Sequence, residues 1–122
     1  MASLFEVTAG SAIGYVSGNG GAVTQATSKS TGVTLNKPCG SITMHNASLA
    51  GDAEVSFTVT NSEVAATDVV NVAVKSGATT GKYLAFVTAT AAGSFEITVS
   101  NVGSTAGEAV VLNFAVFKAA AS

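Results

Sequence analysis

The feature that most constrains this chain is the strict alternation of apolar and polar side chains in short runs. In the segment AEVSFTVT, Val55, Phe57 and Val59 alternate with charged or hydroxyl side chains, and the segment SFEITVSN at 94–101 repeats the pattern. Successive side chains of a β-strand point to opposite faces of the sheet. Both segments therefore predict strands with one buried face and one face toward solvent.

Six further segments predict strands with a weaker form of the same pattern. They are LFEVT near the start, GVTLN, SITMH, VVNVAVK, KYLAFVTATA and, near the end, AVVLNFAVF. The last of these is apolar on both faces over residues 110–117, which is typical of a strand that is covered on both sides. One cover is the core, and we expect a partner subunit to supply the other. Val111 and Phe117 are accordingly the candidate subunit contacts.

Glycine-rich turn signals separate these runs about every ten to fifteen residues, for example GNGG at 18–21 and GSTAG at 103–107. Short strands at this spacing predict an all-β fold, an antiparallel β-sandwich resembling a jelly roll of about eight strands. We expect a single sandwich domain over residues 17–122. A single helical turn at NASLAGD is the one helical element that we expect, and Pro38-Cys39-Gly40 is expected to form a turn before SITMH.

The first sixteen residues are expected to form an N-terminal arm or an edge strand. The glycine-rich stretch at 17–22 is the candidate hinge behind this arm, with GNGG as a flexible turn. A terminal segment is poorly ordered unless it docks on something. The apolar side chains of Leu4, Phe5 and Val7 are therefore the candidate contacts with a partner.

From charge and hydropathy we expect neither nucleic acid nor a membrane as a partner. The net charge is −2, and the few basic residues are lysines scattered along the chain, whereas nucleic-acid binding needs clustered basic side chains. No apolar run approaches the roughly 20 residues of a membrane-spanning helix. The start of the chain has no basic segment followed by an apolar core, so we expect that it carries no secretory signal. We also expect the protein to be made in the cytoplasm.

The sequence offers little that predicts catalysis. His45 is the only histidine, whereas a zinc site or a catalytic triad needs several partners. Ser28, Lys29 and Ser30 suggest a serine–lysine dyad, but a lysine acts as a base only when burial lowers its pKa, and polar neighbours favour an exposed strand or loop. The single Cys39 cannot form an internal disulfide and is expected to be dispensable for folding. We expect no enzyme activity, cofactor or metal.

One resemblance adds to this description. The run GNGGAVTQATSKSTGVTLNKPCGSITMHNASLA, followed by VSFTVTNSEVAATDVV, SGATTGKYL, AAGSFEITVSNV and GEAVVLNFAVFKA, resembles a recurrent module of tailed-bacteriophage virion proteins. The resemblance covers about residues 14–119, and TQATSKSTGVTLNK with the closing LNFAV is its most specific part. It implies a small structural component of the phage particle and no catalytic residues.

The resemblance implies a capsid decoration (cement) protein on the outer surface of the virion, made in the cytoplasm of the host bacterium. Such a protein would be a homotrimer whose arms contact the major capsid protein. The alternative is a fibre or receptor-binding module that contacts the host surface through loops such as NSEVAATD and SGATTGK. A small hydrolase built on a β-sandwich is the weaker alternative.

Overall fold

Ten strands make up the secondary structure of the computed structural model, which describes residues 6–7 and 13–120. Within these ranges the chain contains no helix. The strands are β1 (Glu6–Val7), β2 (Ile13–Gly14), β3 (Gly20–Thr24), β4 (Val33–Thr34), β5 (Cys39–Thr43), β6 (Glu54–Thr60), β7 (Val69–Ser76), β8 (Tyr83–Ala91), β9 (Ser94–Asn101) and β10 (Val111–Phe117).

Eight of the strands form two four-stranded sheets that pack face to face. The β10 sheet has the order β3-β5-β10-β7, and the β9 sheet has the order β4-β6-β9-β8, while β1 and β2 form a separate two-stranded sheet. The predicted all-β sandwich with about eight strands in its body is therefore confirmed.

Two of the strand pairs differ from the antiparallel pairing that the sequence predicted. β3 pairs with β5 in parallel, and β4 pairs with β6 in parallel, whereas all the other pairs are antiparallel. The chain leaves β3, contributes β4 to the other sheet and then returns as β5, so β3 and β5 run in the same direction. A crossover connection of this kind is what joins parallel strands.

The core follows the alternation that the sequence predicted. In β6 the side chains of Phe57 and Val59 are buried between exposed polar neighbours, and Phe95 and Ile97 of β9 are buried beside them. The ring of Phe95 packs against the ring of Phe114 from the other sheet, with their centroids 5.3 Å apart. A single apolar cluster thus joins the two sheets.

The outer face of β9 is less exposed than its polar residues suggest. The side chain of Thr98 points outward as predicted, yet Thr98 is buried, because β9 lies between β6 and β8. Its hydroxyl group forms hydrogen bonds with the hydroxyl groups of Ser56, at 2.8 Å, and Thr88, at 2.9 Å. Cross-strand hydroxyl pairs of this kind stabilise a sheet.

Three local predictions were wrong. NASLAGD is not helical, and Leu49 within it instead forms an isolated antiparallel bridge with Ala106. The predicted turn at 18–21 ends at Asn19, because Gly20 and Gly21 already belong to β3. Pro38-Cys39-Gly40 is likewise not a turn as a whole, since β5 begins at Cys39.

Glycine allows β3 and β5 to approach each other closely. Gly21 and Gly40 are register partners in the parallel pair, and the side chain of Leu35 lies against both. A Cβ atom added to Gly40 would lie 2.5 Å from the carbonyl oxygen of Gly21 and 2.9 Å from Cδ2 of Leu35. The pairing of β3 with β5 therefore requires a residue without a Cβ atom at position 40.

Candidate functional site

The two predicted subunit contacts lie on the outer face of the β10 sheet. Leu112, Phe114 and Val116 of β10 are buried in the core, so the alternate residues of the strand point outward. Val111 and Phe117 are among these outward residues, and both are partly buried. The structure therefore brings Val111 and Phe117 to one surface, at opposite ends of the same strand.

Apart from Val111 and Phe117, the part of this outer face that β3, β5 and β10 form carries small, uncharged side chains. Three neighbouring strands, β3, β5 and β10, contain no charged residue at all. Their outward positions between the two predicted contacts are Gly20, Ala22, Thr24, Cys39, Ser41, Thr43, Asn113 and Ala115. Covering such a face with another protein surface removes no charged group from water, so the desolvation cost is low.

A shallow groove runs between β7 and β10 on the same face. Its volume is about 240 Å³, and its walls include Asn71, Ala73, Asn113, Ala115 and Phe117. This volume lies below the range of roughly 300–1,000 Å³ that is typical of small-molecule sites. The groove is therefore a feature of a flat contact surface rather than an enclosed ligand site.

The predicted arm falls partly outside the described residues. Leu4 and Phe5 lie outside them, and Val7 lies in β1, where it pairs with Ile13 of β2. Ile13 is 71% exposed. Two residues later, the hydroxyl group of Tyr15 donates a hydrogen bond to the carbonyl oxygen of Val116. The segment after β2 is thus attached to the end of β10 that also carries Phe117.

The predicted exposure of Lys29 was wrong. Lys29 is only 4% exposed, and its ammonium group donates hydrogen bonds to the carbonyl oxygens of His45 and, at 2.6 Å, Glu108. Burial lowers the pKa of Lys29, and the nearby negative charge of Glu108 opposes this shift. The sequence did not indicate the burial of Lys29, because both carbonyl groups come from segments distant in the sequence.

The serine–lysine dyad is not assembled. The hydroxyl group of Ser28 forms hydrogen bonds with the hydroxyl groups of Ser30 and Thr31, each at 3.0 Å, while the ammonium group of Lys29 binds main-chain carbonyl oxygens. Activation of a serine requires a base within hydrogen-bond reach of its hydroxyl group. The role of Lys29 in this arrangement is structural.

Gln25 fixes the loop around Lys29. Its side-chain amide donates to the carbonyl oxygens of Lys29, at 2.8 Å, and Thr31, at 3.1 Å, and its oxygen accepts the main-chain N–H of His45 at 2.9 Å. The Nδ1 atom of His45 accepts the main-chain N–H of Ala47 at 3.0 Å. His45 is thus part of the hydrogen bonding of a loop.

Glu108 joins a second set of hydrogen bonds at the same end of the sandwich. Its carboxylate accepts the hydroxyl group of Tyr83 at 3.0 Å and both the main-chain N–H and the hydroxyl group of Thr79, at 2.9 and 3.0 Å. Burial and the hydrogen bond to Glu108 raise the pKa of Tyr83 to about 12. This contact attaches the loop between β7 and β8 to the body.

The opposite end of the sandwich is held by an ion pair. The Lys118 ammonium group lies 2.7 Å from the Asp68 carboxylate and also donates to the carbonyl oxygen of Glu63 at 2.6 Å. Burial raises the pKa of Asp68, but the hydrogen bonds from Lys118 and from main-chain N–H groups outweigh this effect, so the pKa lies below its usual value.

Within the described residues, no group of three or more His, Cys, Asp or Glu side chains is arranged to hold a metal ion.

No family model, curated protein or solved structure matches this chain. Among the described residues, no helix is both long and apolar enough to cross a membrane.

Proposed function

We propose that this chain is a virion structural protein that binds the outer surface of a phage capsid as a decoration (cement) protein and stabilises the head. The observation that carries the proposal is the uncharged outer face of β3, β5 and β10. A decoration protein acts through broad protein–protein contacts, among its own subunits and with the shell, rather than through a reactive group, and this face suits the contact between subunits. The resemblance of TQATSKSTGVTLNK and LNFAV to phage virion modules supports the same proposal.

The proposed assembly is a homotrimer in which the outer face of the β10 sheet contacts a neighbouring subunit. Val111 and Phe117 are the proposed contacts, because they are the larger apolar side chains on the outward side of β10. Three copies held together attach to the shell with far greater strength than one copy, provided that the spacing of the sites matches.

The proposed partner on the shell is the major capsid protein, and the proposed contact segment is the arm that contains Leu4, Phe5 and Val7. Main-chain pairing of this segment with a capsid strand would add a strand to an existing sheet. The hydrogen bond from Tyr15 to the carbonyl oxygen of Val116 holds the C-terminal end of this segment beside the end of β10. Tyr15 and the proposed trimer contact at Phe117 therefore lie at the same end of β10.

The test of attachment uses capsids that lack this protein. Full-length protein and a variant without residues 2–13 are mixed with these capsids, and the bound copies are counted after sedimentation. We expect the full-length protein to bind in many copies per capsid and the deletion variant to bind weakly. Equal binding of a correctly folded deletion variant would refute the role of the arm, and no binding of the full-length protein would refute the decoration function.

The test of the trimer uses Val111→Asp and Phe117→Asp. We expect each variant to sediment as a monomer at concentrations where the unmodified chain sediments as a trimer, because a carboxylate would be buried in the contact. Thr58→Asp, on the outer face of the other sheet, is the control and should leave the trimer intact. A monomeric unmodified chain at micromolar concentration would contradict trimer formation in solution.

The alternative function is a fibre or receptor-binding module that contacts the host surface. The observation that favours it is the loop between β7 and β8, which is largely exposed and yet fixed by the hydrogen bonds between Thr79 and Glu108. A fixed, exposed loop is suited to recognition. Immunogold labelling of intact particles separates the two functions, since a decoration protein labels the whole head whereas a receptor-binding module labels the tail or the vertices.

A further inference from the structure

Strand β8 is an edge of the β9 sheet, and β7 of the other sheet lies beside it without forming a ladder. Strand β8 forms a ladder with β9 alone, and its nine residues, YLAFVTATA, include no charged side chain and no proline. Leu84 is 57% exposed and Phe86 is 40% exposed on its outer side. Natural edge strands usually carry charges, prolines or covering loops that prevent pairing with another chain. β8 has a bulge between Val87 and Ala89 but neither a charge nor a proline, so the segment before the bulge is suited to pairing with a further strand.

The free hydrogen-bonding groups of this edge can be assigned from the ladder with β9. The main-chain N–H of Val102 donates to the carbonyl oxygen of Lys82 at 2.8 Å, which makes these two residues a hydrogen-bonded pair. Hydrogen-bonded and non-hydrogen-bonded pairs alternate along an antiparallel ladder. The main-chain groups of Tyr83, Ala85 and Val87 are therefore directed toward the free edge.

We propose that β8 pairs in an antiparallel manner with β8 of a second copy of this chain, about a twofold axis that passes at Ala85. In this register Ala85 faces Ala85 of the second copy, and Leu84 faces Phe86 of the second copy. The Leu84 and Phe86 pairs are then non-hydrogen-bonded pairs, in which side chains lie closest together. Both exposed apolar residues would be covered, and the β9 sheet would continue from one copy into the other.

Charge complementarity supports a second copy as the occupant. Just beyond the last regular pair, Lys82 of one copy would lie beside Thr88 of the other, and the hydroxyl group of Thr88 donates to the carboxylate of Glu96 at 2.5 Å. The Glu96 carboxylate is thus held beside Thr88, on the outer face that Lys82 of the second copy would reach. The twofold axis would create this Lys82–Glu96 contact twice.

Within residues 13–120, neither Lys82 nor Glu96 takes part in an ion pair. The ammonium group of Lys82 has only a long contact of 3.4 Å with the hydroxyl group of Ser104. Burial raises the pKa of Glu108, hydrogen bonds from Thr79 and Tyr83 lower it, and the positive charge of Lys82 is the smallest of the causes that lower it. Lys82 and Glu96 are therefore available for pairing with the second copy.

The bulge in β8 limits the length of the contact. The register with β9 shifts between Val87 and Ala89, and a bulge of this kind bends a strand and ends regular pairing. Regular pairing about Ala85 thus extends from Tyr83 to Val87. A contact of this length is small, so we expect weak association that depends on protein concentration. It lies on the sheet opposite to the one that carries Val111 and Phe117, and it does not depend on the proposed function.

The register is tested by disulfide trapping of purified protein, without capsids, in a Cys39→Ser background. A tagged Leu84→Cys chain and an untagged Phe86→Cys chain are mixed and oxidised. We expect the mixed dimer to form at several times the yield of either identical dimer. The reason is that identical positions lie on a diagonal about 7–8 Å apart, which exceeds the reach of an unstrained disulfide.

A matched mixture of Thr58→Cys and Thr60→Cys chains, from β6 of the same sheet, is the control and should show no such preference. Circular dichroism establishes that each cysteine variant is folded. A statistical ratio of mixed and identical dimers, or no dimers with folded variants, would overturn the proposed register.

The charge contact is tested by reversal in the same trapping experiment. Lys82→Glu and Glu96→Lys should each lower the yield of mixed dimer about two- to tenfold, as expected for exposed ion pairs that become repulsive. The double variant Lys82→Glu with Glu96→Lys should restore it, because both contacts are then attractive again. If the double variant is no better than the single variants, the contact between Lys82 and Glu96 is refuted.

Discussion

The ammonium group of Lys29 donates a hydrogen bond to the main-chain carbonyl oxygen of Glu108 at 2.6 Å, across 79 residues of sequence. The side chain of Glu108 in turn binds Thr79 and Tyr83. Three distant segments of the chain therefore meet at Lys29 and Glu108. This meeting point holds one end of the sandwich together through polar contacts, whereas the centre is held by apolar packing.

The first prediction concerns Lys29→Met, which keeps most of the length of the side chain and removes its donors. We expect the free energy of unfolding to fall by about 1–3 kcal/mol, because two carbonyl groups lose their hydrogen-bond donor in a buried place. Urea unfolding measures the change. Lys75→Met, at an exposed position of β7, is the control and should be nearly neutral. Equal stability of the two variants would contradict the structural role of Lys29.

The second prediction concerns Gly40→Ala. We expect a loss of about 1–3 kcal/mol, since the new Cβ atom would meet the carbonyl oxygen of Gly21 and force β3 and β5 apart. Gly14→Ala is the control, because no atom lies within 4 Å of a Cβ atom at that position. Thermal unfolding compares the two variants. A Gly40→Ala chain as stable as the Gly14→Ala chain would refute the close approach of the two strands.

The third prediction concerns how the free energy of unfolding changes at acid pH. The pKa of Asp68 is lowered in the folded chain, so its contribution is present above its ordinary pKa of 3.8 and is lost as the pH falls through the lower folded value. Asp68→Asn should therefore be less stable than the unmodified chain at neutral pH, and the difference should close below pH 3.8. Urea unfolding across the acid range measures this difference. Glu54→Gln, at an exposed position of β6, is the control and should show no such gap.

The fourth prediction concerns how the free energy of unfolding changes at alkaline pH. The pKa of Tyr83 rises from 10.0 to about 12 in the folded chain, so its contribution is fully present below pH 10 and is lost as the pH rises toward 12. The stability advantage of the unmodified chain over Tyr83→Phe should shrink over this interval. Phenolate absorbance, followed with urea unfolding, gives both the titration and the stability. An advantage that stays constant up to pH 12 would be the contrary result.

The fifth prediction concerns Cys39→Ser. Cys39 lies in β5 and is only partly buried, and its sulfur lies 3.8 Å from the carbonyl oxygen of Asn19. It does not belong to the core cluster. We therefore expect a loss of less than about 1 kcal/mol in urea unfolding, as for most changes outside the core. A loss of several kcal/mol would show that the thiol packs as a core residue.

Much of the fold could be predicted because its main signal is local. The alternation in β6 and β9 identifies both the strands and their buried faces, since a strand of any length repeats its side-chain direction every two residues. The apolar residues of β10 likewise identify a strand, and one of its faces is buried in the core. The position of Val111 and Phe117 on one outer face follows from the same rule.

Other features of the candidate surfaces could not be predicted from the sequence. Gly20–Thr24 is short and rich in glycine, and it becomes a strand only because it pairs with β5. KYLAFVTATA reads as a strand, but its sequence does not tell whether β8 lies at an edge, and this position alone exposes Leu84 and Phe86.

The sequence by itself determined that this chain forms alternating strands with an apolar core, because each strand carries its own pattern of buried and exposed side chains. The tertiary structure alone decided which strands are neighbours, which of them run in parallel, and where Lys29 lies. The physical reason is that these features depend on partners distant in sequence. The carbonyl groups of His45 and Glu108 that receive the Lys29 ammonium group come together only when β5 pairs with β10.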